Sequence, residues 1–147
     1  MPSTLADTAK KLFSEERAYN CAQSIFAASS EHLGLGAVDQ DTSVRIAAAF
    51  GGGIARTGNV CGALTGAVMA LGLKYGGAGY KDQEKANEVA EKLLTEFKAR
   101  HGSILCRELI NHDLVTDEDV KQAFKKGAFK NCPQFVDDIA TMLESLL

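Results

Sequence analysis

The segment 57–73 has the sequence TGNVCGALTGAVMALGL and carries no charged side chain. Small residues recur along it at intervals of four, at Gly58, Gly62, Gly66 and Ala70. Because residues four apart lie on one face of an α-helix, they form a stripe of small side chains that lets another backbone approach closely. The pattern predicts a buried helix that is capped by Thr57 or Asn59 and extends to about Tyr75.

The same segment is the longest charge-free apolar stretch and lies at the lower limit of length for a membrane span. Buried helices of water-soluble proteins are commoner at this length, so we expect a core helix and no membrane partner. Residues 1–11 lack the charged region followed by an apolar region that marks a secretory signal. These observations predict a cytoplasmic protein, a location in which permanent disulfides are rare.

The composition of the chain is that of an ordinary globular protein. Its 147 residues predict one domain over residues 1–147. A hydrophobic fraction of 46% and a charged fraction of 24% exclude a disordered chain. The net charge of −3 shows no basic excess, so no nucleic-acid partner is expected.

Helical periodicity and cap residues divide the chain into about seven or eight helices. The caps include Asn20 with Gln23, Thr116 with Asp119, and Pro133 at a first helical position. The predicted helices are 4–16, 20–33, 41–50, 57–75, 82–100, 103–110, 116–127 and 133–147. No segment shows the sustained alternation of a β-strand, so we predict an all-α, single-domain helical bundle.

Each of the four cysteines lies at the start of a predicted helix; they are Cys21, Cys61, Cys106 and Cys132. Unpaired backbone N–H groups and the helix dipole favour negative charge at that position. A thiol there should ionise more easily, and the thiolate is both the nucleophile and the metal ligand. The plain alternative is inert burial, since free cysteine is among the most buried residue types. No C-x-x-C pair occurs, which excludes the thioredoxin-type and zinc-ribbon signatures.

The glycine-rich segment 50–61, FGGGIARTGNVC, resembles a phosphate-binding loop only superficially. It lacks the Lys-Ser or Lys-Thr pair and the preceding strand of that loop. We interpret it as a tight turn between packed helices, whose functional use would be close backbone approach to a sulfur, a cluster or an anion. Arg56 would either steady a thiolate at Cys61 or point to solvent. Asn20, Arg56 and Gly62 are the candidate cofactor-binding residues.

The motif CGALTG at residues 61–66 fits the pattern C-G-A-x-x-G, with one cysteine before it and two after it. Together with the sequence YNCAQ at residues 19–23, it resembles the four-cysteine family C_GCAxxG_C_C over nearly the whole chain. That family is described as redox-active on the strength of its cysteines, so the resemblance implies a redox role for all four. Similar regions accompany haem segments in split-Soret cytochromes, which implies an iron–sulfur role. This chain lacks haem-attachment motifs, so haem is not carried over.

Three functions are compatible with these residues. The first is thiol/disulfide redox chemistry, in which one low-pKa cysteine attacks a disulfide and a second resolves the mixed disulfide. The second is an iron–sulfur cluster or a zinc ion bound by the same four cysteines. The third is a non-catalytic interaction protein with inert cysteines, in which the small-residue stripe forms a helix or homodimer contact. We favour the first two functions and, between them, thiol/disulfide chemistry. A redox role would need a redox partner, which the sequence does not identify. The sequence also does not distinguish an enzyme from a carrier.

Overall fold

The computed structural model describes residues 4–14, 19–34 and 38–147. Within these ranges the chain forms eight α-helices and no extended strand, which confirms the predicted all-α class. In chain order the helices are α1 (Leu5–Ser14), α2 (Cys21–Leu33), α3 (Gln40–Ala47), α4 (Gly62–Tyr75), α5 (Tyr80–His101), α6 (Cys106–Leu109), α7 (Asp117–Lys126) and α8 (Cys132–Leu146).

Two predicted capping boxes are present and fix the starts of α2 and α7. The side chain of Asn20 accepts a hydrogen bond from the Gln23 backbone N–H at 2.9 Å, and the Asn20 N–H donates to Gln23 Oε1 at 2.9 Å. Thr116 and Asp119 make the same reciprocal pair at the start of α7. Each box satisfies backbone donors that the first turn of a helix leaves unpaired. The predicted end of the first helix at Glu16 lies outside the described residues.

Helix α4 begins later than predicted, because neither Thr57 nor Asn59 is its N-cap. The Cys61 N–H donates to the Ile104 carbonyl at 2.8 Å, and the Cys106 N–H donates to the Asn59 carbonyl at 2.6 Å. Because these backbone groups are satisfied by another part of the chain, residues 59–61 stay extended and the helix starts at Gly62. The same pairing shortens α6, which begins at Cys106 instead of 103.

Smaller differences occur at the ends of three other helices. Helix α3 ends at Ala47 and not at Phe50, because the chain turns sharply through the glycines that follow. Helix α5 begins two residues earlier than predicted, at Tyr80. Helix α8 begins one residue earlier than predicted, at Cys132, with Pro133 in its first turn, and the preceding residue Asn131 makes no side-chain capping hydrogen bond.

The small-residue stripe of α4 is packed against α2. A Cβ atom on Gly66 would lie 2.7 Å from the Ala22 carbonyl oxygen, and one on Gly62 would lie 2.6 Å from Cys21 Sγ. Helix α4 also buries Ala63, Leu64 and Leu71 completely. The stripe is therefore a contact within the chain. No helix in the described ranges combines the length and apolar character that crossing a bilayer requires.

A second, smaller apolar cluster forms around α6 and α7. It contains Cys106, Leu114 and Ala123, with Ile110 and Phe129 packed against it. This cluster joins α6 and α7 to the segment that leads into α8. It therefore sets the position of Cys106 and of the residues that lead into Cys132.

The contact between α2 and α4 predicts opposite effects for two glycine substitutions on the same helix. Gly66→Ala forces a methyl group against the Ala22 carbonyl, so we expect the free energy of unfolding to fall by about 1–3 kcal/mol. Gly72 is exposed and a Cβ there meets nothing within 4 Å. Gly72→Ala should therefore stabilise the protein by about 0.5–1 kcal/mol through helix propensity. Urea denaturation of both variants tests this, and equal effects would contradict the packing described.

Candidate thiol site

The chain between α3 and α4 makes a left-handed turn. Residues 52–56 all have positive φ, with Ile54 at 65°, Ala55 at 53° and Arg56 at 57°. Residues with a Cβ avoid this region at a cost of roughly 1–2 kcal/mol each, so the turn stores strain. It is held by backbone hydrogen bonds that span it, including Ala55 N–H to the Ala49 carbonyl at 2.6 Å. The turn that the sequence predicted is therefore confirmed, with a strained backbone that the sequence did not indicate.

This turn brings the backbone close to two of the cysteines. The Gly52 N–H is one of the groups that oppose the rise in the pKa of Cys21, and Gly52 and Cys21 line the same cavity. A Cβ atom on Gly53 would lie 2.5 Å from the backbone of Asn59 and 2.8 Å from Cys106 Cβ. Only glycine fits at either position, because each combines a positive φ with a contact under 3 Å.

All four cysteines line one small cavity, which we call the inner cavity. Its volume is about 30 Å³. Cys21, Cys106 and Cys132 are the first residues of α2, α6 and α8, and Cys61 is the N-cap of α4. Four helix starts therefore meet at this point, each supplying a thiol. The rest of the lining is largely apolar and includes Leu109, Ile110, Phe129, Phe135 and Val136.

A larger open cavity lies beside the inner one, and we call it the outer cavity. Its volume is about 570 Å³. Cys21 and Cys132 line both cavities, whereas Cys61 and Cys106 line only the inner one and are each 7% exposed. The site thus has two thiols at the boundary between the cavities and two thiols behind them.

Burial, not the helix N-terminus, decides the protonation of three of the cysteines. Burial raises the pKa of Cys21, although the N–H groups of Gly52, Ala22 and Ala63 oppose the shift. Burial raises the pKa of Cys61 well above its ordinary value, and the neighbouring Cys21 adds to that shift. Burial and Cys21 together raise the pKa of Cys106 to about 12. The predicted lowering is therefore wrong for these three thiols, because loss of solvation outweighs the helix start.

The structure shows thiols and no disulfide at the four cysteines. In the described part of the chain, no three His, Cys, Asp or Glu side chains are arranged as a metal-ligand set. The inner cavity has room for a water-sized group. The side chains as they stand are therefore not in the ligand geometry of a metal ion or an iron–sulfur cluster.

The three candidate cofactor-binding residues have distinct positions. Asn20 is engaged by the fold, since its Oδ1 caps α2 and its Nδ2 donates to the Ala48 carbonyl at 2.9 Å. Gly62 lets the Cys21 sulfur approach the start of α4. Arg56 lines the outer cavity with its guanidinium 5.5 Å from the centre of the Phe124 ring. The groups that shift the pKa of Cys61 are Cys21, Cys106 and backbone amides, and Arg56 is not one of them.

Sequence reasoning missed the aromatic lining of the outer cavity, which consists of Phe13, Tyr19, Phe124 and Phe129. These rings come from α1, the segment before α2, α7 and the segment before α8. No local pattern connects these four places, and only tertiary packing brings them to one opening.

A family model described as "Putative redox-active protein (C_GCAxxG_C_C)" matches residues 19–146. The chain belongs to the C_GCAxxG_C_C family. The matched range contains all four cysteines and the left-handed turn, so the resemblance inferred from CGALTG and its neighbours is confirmed. Comparisons with curated proteins and with solved structures give no match.

The raised pKa values predict that this family member loses stability at high pH. Above the ordinary thiol pKa of about 9, the folded protein binds more protons than the unfolded chain, so the free energy of unfolding falls as pH rises. For Cys106 the free energy of unfolding should fall by about 1.4 kcal/mol per pH unit between about pH 9 and 12. Below about pH 8.5 the stabilising contribution of this thiol is fully present.

The variant Cys106→Ala tests this prediction, because it removes the thiol that titrates. Its free energy of unfolding, measured in urea under reducing conditions from pH 8 to 10.5, should fall less steeply than that of the wild type. Parallel pH profiles of the two proteins would contradict the assignment.

Proposed function

We propose that this protein carries out thiol/disulfide exchange at the inner cavity, with Cys21 as the attacking thiol. The observation that carries the proposal is the position of Cys21, which faces the open outer cavity and also the cavity that all four cysteines line. Family membership supports a redox role for the chain as a whole.

Cys21 is suited to attack because several backbone N–H groups favour a negative charge on its sulfur. They belong to its own helix, to the left-handed turn and to α4, and they oppose the rise in its pKa. A negative charge on Cys21 also raises the pKa of both Cys61 and Cys106, so a Cys21 thiolate keeps those two thiols protonated. The thiolate is the nucleophile in disulfide exchange, and this relation favours Cys21 as the first nucleophile.

The exchange proceeds in two steps. The Cys21 thiolate attacks one sulfur of a substrate disulfide, which forms a mixed disulfide and releases the other half as a thiolate. Cys61 then loses its proton and attacks the Cys21 sulfur, which releases the second half and leaves a Cys21–Cys61 disulfide. The substrate gains two electrons and two protons, and the two protein thiols lose them. A reduced dithiol returns the protein to its starting state.

Cys61 is the proposed resolving residue because of its place beside Cys21. The Cys21 sulfur lies 2.6 Å from where a Cβ of Gly62, the next residue after Cys61, would stand. Cys21 is also the largest charged influence on the pKa of Cys61. Cys61 is therefore close enough to the attacking thiol for the two sulfur charges to interact.

Metal binding by the same four cysteines is the second candidate function. It is favoured by the meeting of four thiol-bearing helix starts at one cavity, which is a ligand set for zinc or an iron–sulfur cluster. Bound iron would supply single-electron transfer, and bound zinc would supply stability. Because no three of these side chains stand in ligand geometry, this function requires them to rotate, and no step above depends on it.

A trapping experiment tests the exchange mechanism. In a Cys61→Ser variant, the mixed disulfide at Cys21 has lost its proposed resolving thiol, so we expect it to persist for at least about tenfold longer than in a Cys106→Ala control. Mass spectrometry after reaction with a small disulfide locates the adduct. An adduct at Cys132 alone, or equal lifetimes in the two variants, would contradict the assigned roles.

An analysis of metal and thiol content distinguishes the two candidate functions. The protein is purified without oxygen, and iron, zinc and thiols are measured on one sample. Exchange predicts four titratable thiols and no stoichiometric metal. Stoichiometric iron or zinc with unreactive cysteines would instead support metal binding.

A further inference from the structure

The outer cavity has the size and lining of a small-molecule site. Its volume of about 570 Å³ lies within the range of about 300–1,000 Å³ that is usual for such sites. Aromatic rings form much of its wall, and the attacking thiol Cys21 lies on its inner side. A ligand held there would have its reacting atoms beside Cys21.

Arg56 gives this cavity a positive charge. It is the only charged side chain among the described residues of the lining. No carboxylate in the described ranges forms a salt bridge with it. The guanidinium therefore keeps its N–H donors for a ligand, and carboxylates are groups that a guanidinium binds in a bidentate manner.

The other polar side chains of the cavity wall are engaged by the fold. Tyr19 accepts a hydrogen bond from Gln40 at 2.7 Å, and Gln23 donates to the Val44 carbonyl at 2.9 Å. Asn20 caps α2, as described above. Among the lining residues that the structure describes, Arg56 is therefore the group that can select the charge of a ligand.

The strained turn fixes where that charge lies. Arg56 has φ 57°, and a Cβ on Gly52 would lie 2.8 Å from both its Cα and its Cγ. The Arg56 side chain thus lies against Gly52, the residue whose N–H opposes the rise in the pKa of Cys21. Its guanidinium lies over the Phe124 ring. Arg56 thus lies beside Gly52 and Phe124 on the wall of the cavity that Cys21 also lines.

We propose that the outer cavity binds a low-molecular-weight disulfide that carries a carboxylate and an apolar or aromatic group, with Arg56 holding the carboxylate so that the disulfide faces Cys21. This inference rests on the proposed exchange function and names its class of substrate. The carboxylate pairs with the guanidinium, the apolar group contacts the rings, and the exchange with Cys21 follows the two steps given above.

The test compares two small disulfides at one pH and one salt concentration. 5,5′-Dithiobis(2-nitrobenzoate) is aromatic and carries carboxylates, whereas bis(2-hydroxyethyl) disulfide is neutral. We expect the ratio of their second-order rate constants to fall roughly three- to tenfold in Arg56→Gln, because the carboxylate loses its partner. Lys92→Gln removes one positive charge from the exposed face of α5 and should leave the ratio unchanged. An equal fall in both variants, or no fall in Arg56→Gln, would overturn the proposal.

A second measurement separates this inference from the exchange function. Calorimetry with the unreactive thioether 5-(methylthio)-2-nitrobenzoate is performed on Cys21→Ser and on Cys21→Ser combined with Arg56→Gln. Binding to the first variant that weakens in the second supports the carboxylate site even if exchange fails. Absence of binding to the first variant overturns the site even if wild-type protein exchanges disulfides.

Discussion

The close contact between α2 and α4 is the constraint on which the site depends. At Gly62 and Gly66 the two helices approach so closely that a single Cβ atom on either residue would overlap a sulfur or a carbonyl oxygen of α2. Because both helices begin at this contact, their unpaired N–H groups and their first cysteines are brought together. The segment before α4 then pairs with residues 104–107, which adds Cys106 to the same cavity.

Two physical effects compete at these thiols, and their sizes decide the outcome. A helix N-terminus stabilises a negative charge by about 0.3–1 kcal/mol at an exposed site. Burial can shift the pKa of an ionisable group by several units, each worth about 1.4 kcal/mol. Burial therefore prevails, and the pKa of Cys106 rises to about 12. Cys21 has several amide donors near its sulfur and also lies on the open cavity, which is why we propose it as the thiol that reacts first.

Local signals in the sequence were sufficient for the helices and for the placement of the cysteines. The capping boxes at Asn20 and Thr116 depend on residues three apart, and the sequence identifies them correctly. The start of α4 was misplaced because residues 59–61 bond to residues distant in the chain. The positive φ values of Ile54 and Ala55 were not predictable, since isolated non-glycine residues avoid that region and only the surrounding packing imposes it. The direction of the pKa shifts was missed for a related reason, because burial is a property of the folded chain.

We propose that the shared cavity makes the cysteines a reversible dithiol couple within one chain, and an equilibrium redox titration is the sharpest test of this proposal. The reduced protein is equilibrated without oxygen against a graded series of dithiol and disulfide buffer, and its thiols are counted by mass spectrometry after alkylation. We expect a two-electron transition in which each monomer loses two thiols, with Cys21 in the disulfide. Four thiols at every potential, or oxidation only through bonds between chains, would contradict it.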